Sequence, residues 1–157
     1  MLLWFAGSGL ALAWVVFRSP VLDYRLVVVG VLLPDLVDGV TGGAWVSHTL
    51  ASCAALLGLA MVAGRGRRLR QRRLLAVPVG AFLHLLLDGV WSRTALFWWP
   101  AFGLSFGDGG LPSLGRPWPV LVAQEAAGAL ALAWAWANMG LGNPTARRRF
   151  LREGRLR

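Results

Sequence analysis

The sequence predicts an all-α fold, specifically an integral membrane bundle of about five transmembrane helices, with four and six as the outer bounds. Three observations predict it. The 157 residues are 57% hydrophobic and only 15% charged, a balance too apolar for an ordinary soluble domain. Mainly apolar segments recur at 2–17, 25–40, 45–63, 74–91 and 118–141. The basic charge falls in the connections between them: all 16 basic residues are arginine, six of them in Gly64–Arg73, six in Arg147–Arg157 and two at Arg18 and Arg25.

Each segment has its own justification. Leu2–Phe17 has no basic residue before it and no small-x-small cleavage site, so it reads as a retained first helix and not as a secretory signal. The second segment is short, contains Pro34 and ends in Asp35 and Asp38. The third contains the lone Cys53, which excludes an intramolecular disulfide and suits a packed apolar thiol. The fourth carries His84 and Asp88. Residues 92–119 are broken by Gly and Pro and carry Trp98, Trp99 and Trp118. Tryptophan favours the membrane–water interface, so an interfacial or re-entrant segment is expected there, with Gly107–Gly110 as a flexible turn. The fifth segment is rich in small residues. Residues 1–141 thus read as one transmembrane domain and 142–157 as a basic tail.

Arginine placement also predicts orientation. With five spans and the N-terminus outside, fourteen arginines are cytoplasmic and only Arg93 and Arg116 lie outside, in line with the positive-inside tendency. The net charge of +9 is then a topology signal. Anionic lipid headgroups are the expected partners of loop 64–73 and tail 147–157, and nucleic acid is not expected.

Both histidines and four of the seven carboxylates lie in or beside these apolar segments, where ionisable groups are costly and mark function. They are Asp35, Asp38, His48, His84, Asp88 and Glu125. The i,i+3 pair Asp35/Asp38 and the i,i+4 pair His84/Asp88 each share one helical face. In the predicted orientation all six fall at the outer end of the bundle. Imidazole nitrogen with carboxylate oxygen suits a divalent metal, zinc first, then manganese or iron. Candidate ligands are Asp35, Asp38, His48, His84 and Asp88. Candidate catalytic groups are Asp38, as ligand or general base, and Glu125, orienting a histidine through its other ring nitrogen. Plainer readings stand beside this one: aspartates solvated at a helix end, hydrogen-bonded core histidines, Glu125 paired with Gln124 or a backbone group, and a buried Asp–His pair serving as a proton relay.

At these residues the chain resembles the YdjM-type family of inner-membrane, metal-dependent hydrolases. The resemblance rests on LLPDLVD (Leu32–Asp38), SHTL (Ser47–Leu50), HLLLD (His84–Asp88) and LFWWP (Leu96–Pro100), which occur in the family's order. It implies a multi-pass protein of the inner membrane, a divalent-metal site at Asp35, Asp38, His48, His84 and Asp88, and hydrolase activity. Where the family commonly carries a further His-Arg, this chain has Gly43 and Ala44. A lipid-linked phosphoester at the outer face is the expected substrate. The competing expectations are a non-enzymatic protein handling metal or protons, and an accessory subunit packing its fifth helix on a partner.

Overall fold

Helices form in all five apolar segments, and their ends follow from local chemistry. The computed structural model describes residues 1–106 and 115–154. Helix α1 (Leu2–Phe17) stops at Arg18, whose left-handed backbone returns its N–H to the Trp14 carbonyl. Asp23 caps α2 (Tyr24–Thr41) by accepting the Arg25 N–H, and Gly42 ends it with φ 85°. A 3-10 turn (Val46–His48) precedes α3 (Leu50–Ala63), which Thr49 caps through the Ser52 N–H. The arginine-rich α4 (Arg68–Leu74) leads into α5 (Ala76–Asp88). A second 3-10 turn (Val90–Ser92) and the short α6 (Thr94–Phe97) follow. Helix α7 (Trp118–Asn138) has Pro in its first turn, where a missing N–H costs nothing. Asn143 caps α8 (Pro144–Glu153). There is no strand among the described residues.

Two boundaries differ from expectation. The third apolar segment does not open as a helix at residue 45, because Asp38 draws the backbone of Trp45 and the side chains of Ser47 and His48 into a turn. The fourth ends as helix at Asp88, where Gly89 takes φ 71°. The predicted Gly107–Gly110 turn lies outside the described residues.

The centre of the fold is the contact between α2 and α5. Gly30 and Gly80 face each other's helices so closely that a Cβ on Gly30 would strike the Val77 backbone, and one on Gly80 the Val27 carbonyl and Val31 amide. Such close approach is how small residues pack helices without a hydrophobic drive. Helix α1 packs on α7 in the same way, with Gly7 against Gly128, and also on α2, while α3 leans on α5. Gly128 of the small-residue fifth segment is therefore engaged within the chain. Phe5, Tyr24, Val27, Val31 and Leu85 are fully buried.

This up-and-down order separates two ends. At one end the α1–α2 junction, α4 and α8 gather the arginines. There α8 folds back instead of trailing free: the Arg25 guanidinium donates to the Leu151 carbonyl (2.7 Å) and the Tyr24 N–H to the Gly154 carbonyl (3.0 Å). Asp23, 2% exposed, pairs with Arg25 at 2.9 Å. The opposite end holds the C-terminal turns of α2 and α5, the start of α3 and the first turns of α1 and α7. Among the described residues one helix, α7, is long and apolar enough to cross a membrane by length and composition, while α1 and α3 are apolar but have 16 and 14 residues. The outer surface is itself apolar, with Val16, Leu59, Val62, Val122, Leu130 and Trp136 exposed.

Candidate metal centre

Asp38 explains why His48 sits where it does. It lies in the last turn of α2, 1% exposed, and its carboxylate collects the Trp45 N–H (2.9 Å), the Ser47 hydroxyl and His48 Nδ1 (2.6 Å). A carboxylate only accepts, so the His48 proton is on Nδ1 and the Nε2 lone pair points the other way. His84, on α5, is held the same way: its Nδ1 lies 2.7 Å from the Val31 carbonyl, and its ring stacks on Phe5 with centroids 4.1 Å apart. Its Nε2 is likewise left as an acceptor.

The two Nε2 atoms meet 3.1 Å apart. Asp35 Oδ1 lies 3.6 Å from His48 Nε2 and 3.5 Å from His84 Nε2, and Asp88 Oδ2 approaches His48 Nε2 at 3.8 Å. Neither carboxylate oxygen has a hydrogen-bond partner. The cluster is thus a set of buried acceptors facing one another, which demands positive charge at its centre. A cation supplies it, or a proton on His48.

Asp35, His48 and His84 can hold a metal, since one donor atom from each lies within 4.8 Å of the others. Ligands about 2.0–2.1 Å from a tetrahedral ion are roughly 3.3 Å from one another. The observed 3.1, 3.5 and 3.6 Å separations bracket that edge. Of the three, only Asp35 has an appreciably exposed side chain, at 24%.

The six residues singled out in the sequence divide into three groups. Asp35, His48 and His84 form the donor set, with Asp88 at its edge. Asp38 is not a ligand in this geometry, because it occupies the His48 nitrogen that faces away from the cluster. Glu125 is not brought to the cluster: its carboxylate accepts the Leu3 N–H at 2.9 Å and lies 3.8 Å from the terminal amine of Met1. The orienting role expected of Glu125 belongs to Asp38 and to the Val31 carbonyl.

One residue enters that the sequence did not nominate. The Arg116 guanidinium reaches Asp88 through both the main-chain carbonyl (2.6 Å) and Oδ1 (3.1 Å), and it also donates to Gln124 (3.0 Å). Its isolation from the other arginines was the available signal. Residues 92–106 lie at this end too, with Phe106 between Trp45 and Trp99 at centroid distances of 5.6 and 5.0 Å.

No protein-family model, curated protein or solved structure matches this chain.

Proposed function

We propose that this chain is a membrane-embedded, metal-dependent hydrolase of the YdjM-type kind, acting on a phosphoester at the outer face of the inner membrane. One observation carries the reading: two histidines with opposed, hydrogen-bond-locked tautomers and an unpartnered carboxylate oxygen present three acceptors at ligand spacing. Two imidazoles and a carboxylate favour zinc, and three protein ligands leave the open position of a catalytic site. Asp35, His48 and His84 would hold the ion, which would supply polarisation of a phosphoryl oxygen and acidification of a water.

The chain's own residues then have distinct tasks. Asp35, His48 and His84 bind, while Asp38 fixes the His48 ring and tautomer. Asp88 keeps Oδ2 free of donors and turned toward the cluster, the position of a general base that takes a proton from water. Arg116 anchors Asp88 through Oδ1 and places a cation beside the site, where a phosphoryl group is anionic.

The apolar exterior and the segregation of arginines at the opposite end support five membrane-crossing segments with the N-terminus outside. Reporter fusions at the N-terminus and after residue 154 test this: reversed sidedness overturns the orientation. Elemental analysis of purified protein, together with turnover of a soluble aryl phosphate and of phosphatidic acid, tests the enzyme. Bound divalent metal with turnover of either substrate supports it. Metal without turnover favours the second reading, metal handling without catalysis, and absence of metal sinks both in favour of a proton relay at His48.

A further inference from the structure

Besides the metal cluster, the packing of the helices leaves an apolar groove. Helix α3 leans on α5, and α1 on α2 and α7, so α1, α3 and α5 enclose a channel of about 540 Å³ lined by Val16, Phe17, Cys53, Leu57, Phe82 and Leu86 among others. None of its lining residues is charged. A second hollow of about 330 Å³ shares Phe17 and Val79 with it and is also lined by Ser19 and Arg72. Together they make an apolar slot with a cationic, hydroxyl-bearing mouth at the arginine-rich end.

Each part of the mouth has capacity to spare. Arg72 is exposed and makes no ion pair among the described residues. Ser19 accepts the Val21 N–H at 3.2 Å, and its carbonyl accepts the Tyr24 hydroxyl, so its own hydroxyl hydrogen remains to donate. A guanidinium and a hydroxyl suit a phosphodiester, and the slot above them offers nothing to a polar group. An acyl chain suits it, since its lining is apolar throughout.

We infer that this compound cavity is a binding site for one anionic phospholipid, with its phosphate at Arg72 and Ser19 and one acyl chain along the α1–α3–α5 groove. The inference rests on the membrane reading but not on the metal site or on hydrolysis. The lipid enters from the cytoplasmic leaflet, on the side opposite the proposed substrate. It fills space between helices that do not close on each other.

The test uses the full chain purified in detergent, with phosphatidylglycerol and phosphatidylcholine of equal chain length as probes and native mass spectrometry as the readout. Phosphatidylglycerol should be retained in preference. Arg72→Ala should weaken its retention about fivefold, to the level of phosphatidylcholine, and Ala54→Trp should abolish retention of both. Leu130→Trp, on the exposed face of α7, should change neither. Because Ala54→Trp risks misfolding, phosphatidylglycerol with a photoreactive acyl tail is cross-linked to the wild type, and adducts should concentrate in Cys53–Leu57 and Phe82–Leu86. Equal retention of the two lipids, an unaltered Arg72→Ala variant, or adducts spread evenly over α7 overturns the site. Headgroup preference that survives Ala54→Trp reduces it to surface attraction and overturns the groove. Carbonate extraction of cell membranes, done separately, reports on the membrane reading itself.

Discussion

His48 and His84 face each other Nε2 to Nε2 at 3.1 Å, each with its Nδ1 already committed to an acceptor on α2. Two lone pairs do not tolerate that approach without a cation or a proton between them, and the spacing of Asp35, His48 and His84 suits a metal. The purified wild type should therefore carry about one equivalent of divalent metal, with zinc preferred. His84→Ala and Asp35→Ala should each lose it, as read by elemental analysis after dialysis. Retention of full metal by both variants would place the ion elsewhere.

Asp38 and Glu125 separate orientation from mere proximity in sequence. Asp38 grips His48 at 2.6 Å, so Asp38→Asn should lower metal affinity by about 10–100-fold without abolishing binding. Glu125 is engaged with Leu3 and Met1, so Glu125→Gln should leave affinity unchanged. Competition against a chelating dye measures both. Equal losses in the two variants would contradict these placements.

Asp88 tests catalysis apart from binding. Asp88→Asn keeps the shape and, through its amide oxygen, an acceptor for Arg116, but it removes the base. Metal content should stay near that of the wild type while turnover of an aryl phosphate falls by about 10²–10⁴-fold. If the variant loses its metal as completely as His84→Ala does, Asp88 is a fourth ligand instead.

The sequence made the cluster legible for a physical reason. Ionisable groups in apolar segments are rare, and the i,i+4 spacing of His84 and Asp88 fixes a shared face whatever the neighbouring helices do. The helical class and the helix positions were legible in the same way, from runs of apolar residues broken by Gly, Pro and Arg. What spacing along one helix cannot say is which atom of a neighbouring helix a side chain meets. Asp38 and Asp35 are three residues apart, yet one carboxylate takes His48 Nδ1 and the other faces Nε2. Glu125 lies at the cluster end of α7, as depth along the helix implied, but its carboxylate is taken by the first residues of α1. Arg116 reaches Asp88 from 28 positions along the chain, past a Gly- and Pro-broken sequence that carries no periodicity to read.

The glycine contact between α2 and α5 ties stability to the metal site. A Cβ at Gly80 meets the Val27 carbonyl and the Val31 amide, and backbone atoms inside a helix cannot step aside as a flexible side chain can. Gly80→Ala should therefore force α5 away from α2 and cost about 1–3 kcal/mol, despite alanine's better helix propensity. The same displacement acts on His84, one turn along α5, whose Nδ1 is held by the carbonyl of that same Val31. Metal affinity should fall together with thermal stability, although Gly80 touches no ligand. Gly39→Ala is the matched control, because it lies in α2 with open space around it and should be neutral or stabilising by up to about 1 kcal/mol. Thermal melts followed by circular dichroism in detergent, run beside the chelator competition, measure both effects. A Gly80→Ala protein that melts like the wild type, or one that loses stability while holding metal as tightly as before, would show that the α2–α5 approach does not set the His48–His84 distance.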